Sequence, residues 1–167
     1  MSAIEIRPAE ISDLPALLTI YNYYVENTPI TFDVGARTLA QREVWFEQFA
    51  GSGPHQCLVG VKNGRPIGWA SSVRFKDRAA YDTTIETSIY LAPDEIGQGH
   101  GRRLYEALFK AIGGCDLHRA FGGITLPNPA SVGVHTALGF TPVGVLHEVG
   151  RKFGRYWDVG WYEKPLR

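Results

Sequence analysis

Ile85-Glu86-Thr87-Ser88-Ile89-Tyr90-Leu91-Ala92-Pro93, followed by Gly97-Gln98-Gly99-His100-Gly101-Arg102, reads as a strand that runs into a glycine-bearing turn at the start of a helix. The β-rich run spans Thr83 to Leu91. Beyond the turn, Leu104, Ala107, Leu108, Ala111 and Ile112 fall on one helical face, and Gly113-Gly114 ends the helix. Glycines at 97, 99 and 101 let the backbone turn several N–H groups into one concave surface. With the positive end of the helix dipole behind it, such a nest suits a phosphate or pyrophosphate. A flexible turn uses the same glycines, so the triplet alone leaves both readings open. A nucleotide P-loop requires Gly-Lys-Ser/Thr, whereas Gly101 is followed by Arg102-Arg103. The dinucleotide fingerprint fails as well, because the spacing is G-Q-G-H-G and Asp116 follows a helix rather than a second strand.

Working outward, Ile4 to Arg7 alternates as a short first strand. Ser12 or Asp13 can cap a helix carrying Leu14, Leu17, Leu18, Tyr21 and Val25, with Pro15 in its tolerant first turn. Thr38-Leu39-Ala40-Gln41 has the form of a capping box and opens a helix running to about Ala50, before Gly51-Ser52-Gly53-Pro54. Gln56 to Lys62, the Asn63-Gly64 turn and Arg65 to Phe75 form a hairpin. After the central helix come a strand over Arg119 to Leu126, a short helix over Asn128 to Leu138 closed by Gly139, and an antiparallel pair, Val143 to Val149 with Tyr156 to Tyr162. The order β, α, α, β, β, β, α, β, α, β, β defines an α+β domain with a mostly antiparallel sheet. No repeat or linker divides it, so residues 1–167 read as a single domain.

The composition narrows the function. Hydrophobic residues make up 44% of the chain and charged residues 20%, enough to close a core. Seventeen basic residues balance seventeen acidic ones, which argues against bulk attraction to nucleic acid or an anionic membrane. The N-terminal stretch Met1 to Arg7 lacks the pattern of a signal peptide, and no apolar run reaches membrane-spanning length. Cys57 and Cys115 lie far apart, as expected of reduced thiols in a cytoplasmic protein. The histidines at 55, 100, 118, 135 and 147 have no metal-ligand spacing, so no metal is expected.

The segment Ile89 to Arg102 resembles the acetyl-CoA-binding motif of the GNAT acetyltransferases, Gln/Arg-x-x-Gly-x-Gly/Ala, matched here by Ile96-Gly97-Gln98-Gly99-His100-Gly101. Ile96 departs from its first position. Asn128-Pro129-Ala130-Ser131, His135 and Ala137-Leu138-Gly139-Phe140 resemble the family's second cofactor element. The likeness to the phosphinothricin and methionine sulfoximine acetyltransferase branch covers nearly the whole chain. It rests on Ile6-Arg7-Pro8-Ala9, Ile20-Tyr21-Asn22, Thr31-Phe32, Phe75 to Tyr81, Thr84 to Leu91 and Lys152 to Gly160.

This resemblance implies a GNAT fold, with a twisted sheet that splays at the cofactor site and about four flanking helices. It implies that main-chain groups of Ile89, Tyr90 and Leu91 bind the pantetheine arm, that Gly97, Gln98, Gly99, His100, Gly101 and Arg102 hold the pyrophosphate, and that Asn128 and Ser131 close the far side. Alternation along the strand puts Thr84, Glu86, Ser88 and Tyr90 on one face. Strand position alone leaves Glu86 either a catalytic group or a solvent-facing or ion-paired one. The resemblance implies a general base, needed because an ammonium cannot attack a thioester. His135 stands where many members place a Tyr that protonates the leaving thiolate, and a core histidine is the open alternative. Phe32, Lys76, Arg78, Tyr81 and Thr84 are the implied substrate contacts. The two cations suit the carboxylate and oxyanionic end of a glutamate-like molecule, although a solvated charged loop has the same residues.

The resemblance thus implies a detoxifying N-acetyltransferase that transfers acetyl from acetyl-CoA directly to the amine of a small amino acid, working as a homodimer. Two rivals remain at this stage: a GNAT enzyme acting on a protein N-terminus or another amine, and a non-catalytic acyl-CoA-binding module.

Overall fold

The structure is a computed structural model and describes residues 4–167. Met1, Ser2 and Ala3, where the stretch read for a signal peptide begins, lie outside the described residues. In chain order the elements are β1 (Glu5–Pro8), α1 (Leu14–Asn27), α2 (Leu39–Phe46), β2 (Cys57–Lys62), β3 (Arg65–Arg74), β4 (Thr84–Leu91), α3 (His100–Ala111), β5 (Arg119–Leu126), α4 (Pro129–Ala137), β6 (Thr141–Lys152) and β7 (Arg155–Pro165). This is the order expected from the sequence. The strands form one seven-stranded sheet in the order β1-β2-β3-β4-β5-β7-β6, with β4 at its centre.

Alternation along the strands divides the core. On one face, Leu104, Tyr105 and Leu108 of α3 pack against Ala70, Ile85 and Ala120. On the other, Leu14, Leu17, Ile20 and Tyr24 of α1 pack against Cys57, Val59 and Trp69. Burying each such large apolar side chain contributes about 1.5–3 kcal/mol. Glu86 lies on the α1 face, because its neighbour Ile85 belongs to the α3 core.

The pairing of β4 positions the site. It runs antiparallel to β3 from Gly68↔Leu91 to Arg74↔Ile85. Its parallel pairing with β5 stops after Thr84↔Arg119, Ile85↔Ala120 and Glu86↔Phe121. Strand β5 then follows β7 along its whole length, from Arg119↔Pro165 to Leu126↔Asp158. The sheet therefore opens into the expected splay immediately after Glu86.

Some local expectations need correction. The capping box at Thr38 and Gln41 forms, with reciprocal bonds of 3.2 and 2.9 Å, but α2 ends at Phe46 rather than near Ala50. Phe49 N–H closes a tighter turn onto Phe46 C=O (3.1 Å), and its ring packs edge-on against Trp45. Asp13 precedes α1 without capping it through its side chain. Its carboxylate instead accepts a fork from Arg7 (2.8 Å twice) and the Glu10 N–H, which holds it below the usual carboxylate range. The last two strands are longer than the periodicity suggests and meet at a tight turn over Phe153 and Gly154. A register shift between Leu146 and Gly150 interrupts β6 and obscures its alternation.

Among the described residues no helix is long and apolar enough to cross a membrane, and no group of three or more His, Cys, Asp or Glu converges on a metal-sized site.

Candidate active site

Because the β4–β5 ladder stops at Glu86, the later residues of β4 have no strand partner on that side. A cleft of about 490 Å³ occupies the opening, lined by Ile89, Tyr90 and Leu91 on one wall and by Asn128 and Ser131 on the other. Gly97, Gly99, Gly101 and Arg102 line its end. Gly97 (φ 80°) and Gly99 (φ 81°) hold left-handed backbone, and a Cβ added at either meets nothing within 4 Å. These glycines leave an open cradle at the positive end of the twelve-residue helix α3. Gly101 has a different task, since a Cβ there would sit 3.4 Å from Ile89 Cδ1, so its small size lets α3 lie close to β4. An open strand edge, a concave N–H cradle and a cleft of this size fit the pantetheine arm and diphosphate of a coenzyme A thioester.

Other residues in the motif face elsewhere. Gln98 and His100 do not line the cleft. Gln98 Nε2 donates to Asp94 C=O (3.1 Å), and its Oε1 accepts from Lys62 (3.3 Å). His100 is buried with Nε2 3.4 Å from Glu95. Glu95, missed by the sequence reading, gathers Lys62 (2.8 Å), Arg65 (3.1 Å) and His100 beneath the glycine turn. The Lys62 ammonium holds its carboxyl below the usual range. Its two permanent cations, Lys62 and Arg65, lie about thirty residues upstream on the β2–β3 hairpin, so no local pattern could reveal their pairing. Ile96 stands at the motif's divergent position and lines the cleft. Asn128 Oδ1 caps α4 by accepting from Ser131 N–H (3.1 Å), while both residues also face the cleft.

Glu86 sits where the sheet parts, with Val73 and Phe121 as its cross-strand neighbours. Its half-buried carboxylate has no hydrogen bond or ion pair among the described residues, and burial raises its pKa. Phe75 stacks on Phe121 (4.9 Å) and meets Trp161 and Tyr81 edge-on, forming an aromatic wall on the same face. Lys76 Nζ lies over the Phe75 and Tyr81 rings at 5.2 and 5.5 Å. Arg78 is exposed on the same loop, and Thr84 opens β4. Phe32 is apart from this loop and packs on Gly150 of β6, where any Cβ would strike its ring.

His135 is 3% exposed. Its Nδ1–H donates to Ser131 C=O (2.7 Å), which leaves Nε2 to accept from the buried Tyr105 hydroxyl (3.1 Å). Both ring nitrogens are thus committed inside the protein, which favours the core role of the two that the sequence left open. Burial lowers its pKa. The folded protein then binds this proton more weakly than the unfolded chain, so stability falls as pH drops below the unfolded value of about 6.5 toward the lowered folded one. In thermal melts from pH 8 to 5, His135→Gln is expected to flatten this slope; an unchanged slope would contradict the buried neutral imidazole. Cys57 is buried too, its thiol pushed up to about 12, which suits packing and not nucleophilic attack.

Known proteins resemble this chain in sequence and in fold. The profile of the acetyltransferase (GNAT) family matches residues 17–140. A phosphinothricin N-acetyltransferase of Streptomyces coelicolor is 44% identical, over 98% of this chain and 96% of its own. An L-methionine sulfoximine/L-methionine sulfone acetyltransferase of Pseudomonas paraeruginosa is 36% identical, over 99% and 96%. A GNAT superfamily phosphinothricin acetyltransferase from Sinorhizobium meliloti, solved in complex with acetyl-CoA, superposes with a TM-score of 0.93 at 29% identity, covering 99% of this chain and 89% of its own. The chain belongs to the GNAT acetyltransferase family. It is an N-acetyltransferase whose acyl donor is acetyl-CoA.

Proposed function

We propose that the protein acetylates the α-amino group of a small amino acid of the phosphinothricin or methionine sulfoximine type, with Glu86 as general base. The single observation carrying this reading is an unpartnered, half-buried carboxylate with a raised pKa at the point where β4 and β5 part. Glu86 takes a proton from the substrate ammonium, directly or through a water. The freed amine attacks the thioester carbonyl, the C–S bond breaks with its electron pair on sulfur as the tetrahedral centre collapses, and the extra proton on the new amide nitrogen passes to the thiolate, directly or through a water, as coenzyme A leaves. The aromatic wall of Phe75, Phe121 and Trp161 shields this point, while Lys76, Arg78, Tyr81 and Thr84 supply the acceptor contacts, joined by Phe32 from the segment between α1 and α2 that packs on β6. Ile89, Tyr90 and Leu91 offer main-chain groups to the pantetheine arm, with Asn128 and Ser131 opposite. The backbone of residues 97–102 takes the diphosphate, and the Gln98 and His100 side chains brace the turn from behind.

The names of the relatives from Streptomyces coelicolor and Pseudomonas paraeruginosa support the substrate class. A homodimer belongs to the same proposal, supported by Val145, Leu146 and Val149 exposed on the outer strand β6. The test is thiol release from acetyl-CoA with L-phosphinothricin, L-methionine sulfoximine, L-methionine sulfone, the common amino acids and short peptides as acceptors. Release matched one-to-one by an N-acetylated amino acid is expected. Release with peptides alone would replace the substrate class, and no release with any amine would remove the catalytic reading.

A further inference from the structure

A second cavity, of about 510 Å³, lies on the α1 face of the sheet between α2 and strands β3 and β4. Strand register lays out its floor: Trp69 is opposite Tyr90 and Ser71 is opposite Ser88. Val73, the cross-strand neighbour of Glu86, lies at the catalytic end. Tyr90 lines both this cavity and the cofactor cleft, so the two spaces adjoin.

Arg42 of α2 lines the end of the cavity away from Glu86 and is only 4% exposed. Its guanidinium carbon lies 3.3 Å from the Trp45 ring centroid, 4.6 Å from that of Trp69 and 5.0 Å from that of Tyr21. Among the described residues its Nε and Nη2 have no hydrogen-bond partner and no carboxylate forms an ion pair with it. Asp33, which lines the same cavity, is already held by the Arg37 fork and the Tyr21 hydroxyl. Burial lowers the Arg42 pKa to about 10, leaving it charged at neutral pH. Aromatic faces offset part of the cost of burying a cation, but a buried charge of this kind ordinarily has an anionic partner.

We propose that this cavity receives the anionic side-chain end of the acceptor and that Arg42 is a specificity-determining residue for it, an inference that rests on the acceptor reading above. Three strand residues lie between Glu86 and Tyr90, four steps of about 3.3 Å or about 13 Å of backbone. Lys76 and Arg78 stand beyond the opposite end of β4, so the two acidic groups of such an acceptor meet cations on either side of the amine.

The experiment compares an anionic and a neutral acceptor of similar shape, L-phosphinothricin and L-methionine sulfone, in wild type and Arg42→Gln. Losing one charged contact should lower kcat/KM for L-phosphinothricin by about 10- to 100-fold and leave that for the sulfone within about 3-fold. Equal losses on both acceptors would overturn the proposal. Thermal melts and acetyl-CoA titration check that the variant folds; if it does not, Arg42→Lys is measured instead. That variant keeps the charge but not the planar fork, and should still weaken the anionic acceptor selectively. An unchanged preference would again overturn the proposal. If wild type acetylates neither compound, the acceptor reading has failed, and the cavity is tested by glutarate binding alone. Glutarate should then alter tryptophan emission from Trp45 and Trp69 in wild type but not in the Arg42 variant. No difference between the two proteins would refute the anion site itself.

Discussion

Glu86→Gln is expected to lower kcat by about 100- to 10,000-fold, the usual contribution of a general base, while the Kd for acetyl-CoA stays within about 3-fold. The amide keeps the shape of the side chain but cannot take a proton from the ammonium. The same substitution should raise the melting temperature at neutral pH. The Glu86 carboxyl is half buried without a partner and its pKa is raised by that burial, so the folded state binds this proton more tightly than the unfolded chain. Stability from this group is therefore lost as pH rises from the unfolded value, about 4.3, through the raised folded one. Above the folded value the ionised carboxylate is a standing cost, and glutamine removes it. A glutamate held for structure would behave in the opposite way, with lower stability in the variant and turnover largely intact. Single-turnover kinetics, calorimetric titration and thermal melts separate the two. In wild type, kcat/KM should also fall as pH drops through the raised Glu86 value, because the protonated carboxyl cannot act as a base.

The second large effect belongs to the glycine turn. The double replacement of Gly97 and Gly99 by Ala should raise the KM for acetyl-CoA by about 10- to 100-fold, equivalent to losing a charge-assisted hydrogen bond or two from the diphosphate. Space is not the obstacle, since an added Cβ meets nothing at either position. Conformation is: both residues have φ near +80°, which costs an L-residue roughly 1–2 kcal/mol. The turn would relax and its N–H groups would no longer converge. Because Glu86 lies on the strand and not on the turn, kcat at saturating acetyl-CoA should change little. A fall in kcat with an unaltered KM would place the diphosphate elsewhere.

Much of this architecture was legible in the residues because short-range rules governed it. Period-two alternation put Glu86 on the same face as Ser88 and Tyr90, the Thr38 capping box formed, and Asn63-Gly64 turned the hairpin. Features governed by distant partners were not legible. Asp13 was taken from its helix by Arg7 on β1, and the end of α2 was set by Phe49 folding back on Trp45. Glu95 became the anchor of the glycine turn through cations on the β2–β3 hairpin. Arg42 looked like one more polar residue on a short helix, yet three aromatic rings from three elements enclose it. Gln98 and His100 sit in the motif by position, but the twist of the turn into α3 points their side chains behind the cleft.

A crystal structure of the protein with acetyl-CoA is the most direct test of the central claim. The expected result has the pantetheine arm bonded to the free edge of β4 between Ile89 and Leu91, the diphosphate on the main-chain N–H groups around residues 97–101, and the thioester at the parting of the strands beside Glu86. Coenzyme bound outside this opening, or a thioester on the α3 face away from Glu86, would contradict it.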